Sequence, residues 1–236
     1  MNNAAALWSY LAQEPLLWLT LTLVAYLAAD AISGRSRHPL ANPVLISVIL
    51  IGAVLLVTGI PYARYFEGAQ FVHFMLGPAT VSLAMPLHAN LGRLRRTFLP
   101  MLAALFAGSL TAIGAAVGVA WALGVRGETL LSIAPKSATA PVAIGVAEQI
   151  GGLPSLTAVL VILTGVIGAV IATPLLNACG FTDWRARGFA VGIAAHGIGT
   201  AHAFRVNSTA GAFAGIGMGL NAMLTAVLAP LLFSLF

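Results

Sequence analysis

The stretch Ala134-Pro-Lys-Ser-Ala-Thr-Ala-Pro-Val-Ala-Ile-Gly145 decides how this chain folds. It holds Lys136, the only lysine of the sequence, in a segment that is otherwise apolar enough to lie in a membrane. A cation at that depth is costly unless it faces water, a partner or an anion. Pro135 and Pro141 prevent one regular helix, and broken backbone at membrane depth must be buried in protein or line a cavity. The stretch therefore predicts a substrate site for a small anion.

The composition indicates an all-α polytopic membrane protein. Of the 236 residues, 60% are hydrophobic and only 7% are charged, whereas soluble domains are about 25% charged. We predict a single integral membrane domain over residues 1–236, with halves at 1–124 and 125–236. The net charge of +5 lies mainly in short loops, where it sets membrane orientation, and no nucleic-acid partner is expected. The sequence shows no catalytic triad, metal-ligand set or phosphate loop, so neither an enzyme nor a cofactor is predicted.

Hydropathy predicts about five clean transmembrane helices together with broken or re-entrant helices. A span needs about 20 apolar residues. The clean spans are 15–33, 43–60, 98–123, 156–179 and 211–236. Three further segments carry prolines, glycines or polar groups that interrupt them, and these are 70–90, 129–152 and 189–207.

The loop arginines leave two arrangements open for segment 129–152. Arginines at 35 and 37, at 93, 95 and 96, and at 185 and 187 all become cytoplasmic if 129–152 is a re-entrant hairpin from the outside and 189–207 one from the inside. A full crossing by 129–152 would instead place Arg185 and Arg187 outside. We prefer the hairpin.

The two halves of the chain contain similar interrupted motifs. Met75-Leu-Gly-Pro-Ala-Thr-Val-Ser-Leu-Ala-Met-Pro86 is echoed by Ile133-Ala-Pro-Lys-Ser-Ala-Thr-Ala-Pro141, since each encloses small and hydroxyl residues between prolines. Interrupted segments in corresponding positions of two halves are typical of secondary-transporter sites. The pairing predicts an internal inverted repeat whose two motifs share one site.

The candidate binding residues carry hydroxyl, ammonium or imidazole groups, or are glycines and prolines that open the backbone. Such groups, with the free N–H groups at broken helix ends, donate to an anion, and glycine lets the backbone approach a ligand closely. The candidates are Gly77, Pro78, Thr80, Ser82, Lys136, Ser137, Thr139, His196, Gly197, Gly199 and Thr200.

Each segment also has a structural interpretation. The alternative for 77–86 is a proline kink used only for packing, and the alternative for Lys136 is a side chain that snorkels to the interface. His196 is either a ligand or proton carrier or a buried histidine bonded to a neighbouring carbonyl. His202 is expected in a loop or at the interface, and Asn221 is expected to form a structural bond between helices.

Four motifs closely resemble the LrgB/CidB family over about residues 15–236. The resemblance implies a multi-pass protein of the bacterial inner membrane, an LrgA/CidA-type small membrane protein as partner, and self-association. Because the family includes half of the plastidial glycolate/glycerate translocator, and some members are linked to pyruvate uptake, it implies alternating-access transport of small 2-hydroxy or 2-oxo monocarboxylates. The alternative is a holin-like component that modulates murein hydrolase export and autolysis. The motifs are Leu76-Gly-Pro-Ala-Thr-Val-Ser-Leu-Ala-Met-Pro-Leu87, Pro135-Lys-Ser-Ala-Thr-Ala-Pro-Val-Ala-Ile-Gly145, Ile150-Gly-Gly-Leu-Pro-Ser-Leu-Thr-Ala158 and His196-Gly-Ile-Gly-Thr-Ala201.

Overall fold

The computed structural model describes Trp8, residues 10–36, 41, 43–75, Pro78 and 91–234, with the backbone alone for 73 and 91–97. Throughout these residues the regular structure is helical. Four helical stretches in the described part are long and apolar enough to cross a membrane, and one shorter apolar helix accompanies them. The prediction of an all-α polytopic membrane protein is confirmed.

The helices are numbered in chain order. They are α1 (Pro15–Ser36), α2 (Pro43–Thr58), α3 (Tyr62–Phe74), α4 (Leu91–Ala122), α5 (Gly127–Ile133), α6 (Ala140–Gln149), α7 (Pro154–Ala178), α8 (Trp184–Val206) and α9 (Ser208–Phe233). The predicted spans 43–60, 98–123 and 156–179 agree closely with α2, the apolar part of α4 and α7. The arginines at 93, 95 and 96, which we expected in a loop, belong to the first turns of α4. Most of the predicted crossing 70–90 lies outside the described residues.

The described helices belong to two compact units, Met1–Ala79 and Thr80–Phe236. In the first unit, α1 packs against α2 and α3 around Trp18. The indole Nε1 of Trp18 donates to the Ala12 carbonyl at 3.1 Å, and its ring meets that of Tyr65 edge to face with centroids 6.0 Å apart. A buried aromatic side chain with a satisfied N–H anchors such a small helical unit.

In the second unit, α8 folds back on itself near its middle. Trp184 and Val206, its first and last residues, line the same small pocket, although a straight helix of 23 residues would separate them by about 33 Å. The reversal falls at Ala195 and His196, whose dihedrals are not helical. His196 has φ of 41°, a value uncommon for a residue with a side chain. Segment 189–207 is therefore re-entrant: its two ends lie together.

Glycines hold the first arm of α8, residues 184–194, against α9. A Cβ on Gly188 or Gly192 would lie 2.0 Å from the carbonyl oxygen of Ala210 or Ala214, respectively. From Gly188 to Gly192 the partner in α9 changes from Ala210 to Ala214, so residue numbers increase in the same direction on both sides. This arm therefore runs parallel to the first half of α9. Its contact with α9 is backbone to backbone, which leaves no space for a larger residue.

We expect Gly192→Ala to destabilise the second unit by about 3 kcal/mol, because neither the Ala214 carbonyl nor its helix can move aside for the new methyl group. The matched control is Gly219→Ala, since a Cβ at this glycine of α9 would meet nothing within 4 Å. That control should be neutral or slightly stabilising. Melting temperatures of the purified variants in detergent test both expectations, and equal values for the two would contradict the close contact.

Candidate functional site

The segment around Lys136 forms a helical hairpin. The Leu153 N–H donates to Ser132 Oγ at 2.7 Å, and Thr157 Oγ1 donates to the Ser132 carbonyl at 3.0 Å. These bonds hold the end of the segment beside its beginning, whereas a full crossing would separate the two by about 30 Å. The chain from Ser132 to Leu153 is thus hairpin 1, with residues 134–139 as its tip and α6 as its returning arm. The folded-back α8 is hairpin 2, with its tip at Ala195 and His196.

The two hairpins enter the unit from opposite ends of α7. Hairpin 1 leads directly into the start of α7 at Pro154, and hairpin 2 follows shortly after its end at Ala178. Both tips nevertheless reach the same part of α7. Ala138 of tip 1 packs in one cluster with Val161, and the His196 ring of tip 2 bonds to the Val161 carbonyl. The tips therefore meet inside the helix bundle.

Asn221 of α9 joins the two tips through hydrogen bonds. Its side chain is buried, with 1% exposed, and its Nδ2 donates to the carbonyls of Ser137 and Ile193, each at 3.1 Å. Its Oδ1 accepts from Ser109 Oγ at 2.6 Å and from Thr225 Oγ1 at 3.5 Å. The expected structural bond between helices is present, but its role is wider than predicted because it satisfies carbonyls at both interruptions.

Tip 1 carries three of the predicted site residues. Lys136 is half-buried and its Nζ donates to Ser137 Oγ at 3.4 Å. Ser137 and Thr139 are both buried. Thr139 precedes α6 as its N-cap with extended backbone, and its Oγ1 has no hydrogen-bond partner among the described residues. An unpaired buried hydroxyl is costly. Among the described side chains of this tip, Thr139 is therefore the one able to form a further hydrogen bond at a favourable energy.

Tip 2 carries His196, and the glycine-containing first helical turn of the second arm follows it. The buried imidazole donates from Nε2 to the Val161 carbonyl at 2.8 Å, since a carbonyl can only accept. Thr200 Oγ1 donates to the His196 carbonyl at 2.8 Å. The Lys136 and His196 side chains are close enough across the two tips for positive charges on both to repel each other. Gly197 is half-buried and Gly199 is buried, so the structure brings the candidate residues of both tips together.

The predicted site residues from the first half are not placed with them. Gly77, Thr80 and Ser82 lie outside the described residues, and Pro78 is described as exposed. Their membership of one site with Lys136 stays a prediction.

Two polar residues of hairpin 2 lie where the sequence did not predict them. His202, expected in a loop or at the interface, is half-buried on the second arm of α8. Arg187, expected in a loop, is buried on the first arm. Its guanidinium donates to the carbonyls of Phe181 and Thr173 and lies over the Trp184 ring. A buried arginine needs such partners; Trp184 is its neighbour three residues earlier on the same helix, whereas the Thr173 carbonyl belongs to α7.

A cavity of about 690 Å³ runs between α4 and the first arm of α8. Its walls are apolar and built mostly from small residues, and it extends from Asp183 and Arg185 at the start of the arm to Ile193 and Ala194 beside tip 2. At its polar end, the side-chain hydrogen bond from the Arg185 guanidinium lowers the pKa of the Asp183 carboxyl. This cavity was not predicted from the sequence, although small residues at 104, 107, 108 and 112 of α4 leave room beside that helix. The lining residues are Pro100, Met101, Ala104, Ala107, Gly108, Thr111, Ala112, Asp183, Arg185, Ala186, Phe189, Ala190, Ile193, Ala194 and Phe213.

Comparison with known proteins identifies relatives over nearly the whole chain. A family model described as the LrgB-like family matches residues 22–235. Holin-like protein CidB of Staphylococcus epidermidis is 34% identical over 223 residues, which cover 94% of this chain and 97% of that protein. The Staphylococcus aureus protein of the same name is 33% identical with the same coverage. YwbG of Bacillus subtilis is 34% identical over 216 residues, covering 92% of this chain and 96% of that protein. No solved structure matches the chain.

Proposed function

The chain belongs to the LrgB-like family, and from that premise we propose that it is a secondary transporter of small 2-hydroxy or 2-oxo monocarboxylates that works by alternating access. Glycolate, glycerate and pyruvate represent the substrate class. The protein is a multi-pass membrane protein, and we place it in the bacterial inner membrane.

The observation that carries this proposal is the meeting of two re-entrant hairpins at Asn221. Hairpins that enter from opposite ends of α7 leave their tips in the interior of the unit, where the backbone is no longer regular. Broken helices of this kind are tolerated where they line a site, and half-helix N-termini attract anionic groups. A cation, a free hydroxyl and an imidazole lie at these tips.

The proposed site consists of the predicted residues of both tips. Lys136 supplies the positive charge, Ser137 positions the ammonium, and Thr139 donates from its free hydroxyl. His196 and the helical residues Gly197, Gly199 and Thr200 after it form the opposite wall. That Gly77, Pro78, Thr80 and Ser82 contribute to the same site is a prediction from the sequence pattern. The cavity beside α8 offers a route from the Asp183 end to tip 2.

The names of the relatives support a second candidate function. Staphylococcal relatives are called holin-like, which favours a membrane component that affects murein hydrolase export and autolysis together with an LrgA/CidA-type partner. Such a component needs no substrate of its own. Self-association is part of both proposals.

Uptake by reconstituted protein separates these functions. Purified protein in proteoliposomes should accumulate labelled glycolate or pyruvate with a saturable initial rate, and internal unlabelled substrate should accelerate exchange. Protein-free liposomes prepared in parallel give the background. Uptake no faster than this background would contradict transport and favour the holin-like function, and a fast flux that neither saturates nor shows exchange would indicate a channel.

A further inference from the structure

We infer that the substrate carboxylate binds at the N-terminus of α6, and that this site accepts 2-hydroxy and 2-oxo acids while rejecting amino acids of the same shape. The inference rests on the proposed function and specifies how its site would distinguish substrates. Three features of the second unit carry it: an unpaired hydroxyl and unpaired amides at tip 1, and the absence of a buried carboxylate among the described residues of the unit.

The unpaired hydroxyl belongs to Thr139. The residue is only 7% exposed, and Oγ1 has no hydrogen-bond partner among the described residues. An N-cap threonine ordinarily turns its oxygen toward the amides of its own helix, but Thr139 makes no such bond. Its hydroxyl therefore remains able to donate to a bound anion.

The unpaired amides belong to the first turn of α6, which has 10 residues. The first intrahelical bond runs from the Ala143 amide to the Thr139 carbonyl at 2.8 Å. The amides of Ala140 and Val142 precede that bond and have no helical carbonyl to reach. Pro141 contributes no N–H. Two amides, the Thr139 hydroxyl and the positive end of the helix suit a carboxylate, and the Lys136 ammonium adds a full charge.

The same surroundings disfavour an ammonium group on the substrate. Residues 80–236 include three acidic residues, Glu128, Glu148 and Asp183, and all three side chains are exposed. Within the second unit, a 2-ammonium group at tip 1 would thus lack a buried carboxylate partner and would share the tip with the Lys136 ammonium. A 2-hydroxyl or 2-oxo group is neutral and meets no such penalty, since an unpaired buried charge is far costlier than a neutral polar group.

Glycolate and glycine test the selectivity because they differ only at carbon 2, where glycolate has a hydroxyl group and glycine has an ammonium group. We expect calorimetric titration of the purified full chain in nanodiscs to detect glycolate binding, with glycine at least 100-fold weaker. Equal affinities for the two would overturn the selectivity.

Threonine variants test the location. Thr139→Val keeps the shape but removes the hydroxyl, and it should weaken glycolate binding by about 10- to 100-fold, the worth of a hydrogen bond to a charged group. Because the lost hydroxyl is unpaired in the free protein, the melting temperature should stay equal or rise. Thr139→Ser should restore binding. The matched control is Thr129→Val, at an exposed threonine of α5, and it should bind like the parent.

The results distinguish this inference from the transport proposal. Undiminished glycolate binding by Thr139→Val would overturn the α6 site even if the parent protein transports. Binding that depends on Thr139 in a protein that moves no glycolate into liposomes would support the site and contradict transport.

Discussion

Lys136→Ala should abolish carboxylate uptake while leaving the protein folded in the membrane. Lys136 is the only lysine of the chain, and in the structure its ammonium bonds only weakly to Ser137, at 3.4 Å. Removing it takes away the full positive charge on tip 1 without breaking a strong internal contact. Since a charge-assisted bond contributes about 1.5–3 kcal/mol, the initial rate should fall by at least about 10-fold in proteoliposomes.

The control for this experiment removes a cation elsewhere. Arg64 is exposed and pairs with Glu67 at 2.9 Å, and such surface pairs contribute little. Arg64→Ala should therefore transport at the parental rate. Normal uptake by Lys136→Ala, at matched amounts of reconstituted protein, would end the hypothesis of an anion site at tip 1.

Asn221→Ala should have the largest effect on stability. The change leaves the buried carbonyls of Ser137 and Ile193 without their donor and Ser109 Oγ without its acceptor. Losing partners for buried polar groups costs about 1–3 kcal/mol each, so we expect a total of roughly 4 kcal/mol. Thermal unfolding in detergent measures this loss, and transport should fall as well because the tips are no longer joined.

Ser109→Ala provides the comparison, since it removes only one of these partners and leaves both tip carbonyls bonded to Asn221. It should cost about 1 kcal/mol. If Asn221→Ala were no less stable than Ser109→Ala, the bonds to the tips would contribute nothing, and the two hairpins would have to be held by other contacts.

Much of the helical framework was predictable because it depends on local composition. The apolar run of 156–179 matches α7 within a few residues, since a stretch of that length and hydropathy has only one stable conformation in a bilayer. The interruption at Pro135–Pro141 was equally readable, because proline acts on its own helix. Lys136, Ser137 and Thr139 were identified for the same local reason.

The relations between segments were not predictable from local patterns. Asn221 reaches carbonyls 84 and 28 residues away in the sequence, and no periodicity within α9 points to either. Arg187 appeared to be a loop residue because charged groups are rarely buried. Trp184 and Phe181 are close to it in sequence, but the Thr173 carbonyl that it also bonds belongs to α7 and comes from tertiary packing. The glycines near His196 suggested a reversal of the chain there. The residue with positive φ is nevertheless the histidine itself, whereas the general preference for glycine at such dihedrals would predict Gly197 or Gly199.

The two hairpins affect how many times the chain crosses the membrane. A chain that turns back within the bilayer leaves from the side it entered, so hairpins 1 and 2 each add helix but add nothing to the number of passes. Between residues 91 and 234, the passes are made by α4, α7 and α9, an odd number, and the two ends of this region therefore face opposite compartments. The arginine clusters at 93–96 and at 185–187 then share one compartment, as the excess of positive charge in cytoplasmic loops favours, while the single Arg126 between α4 and α5 lies on the other side.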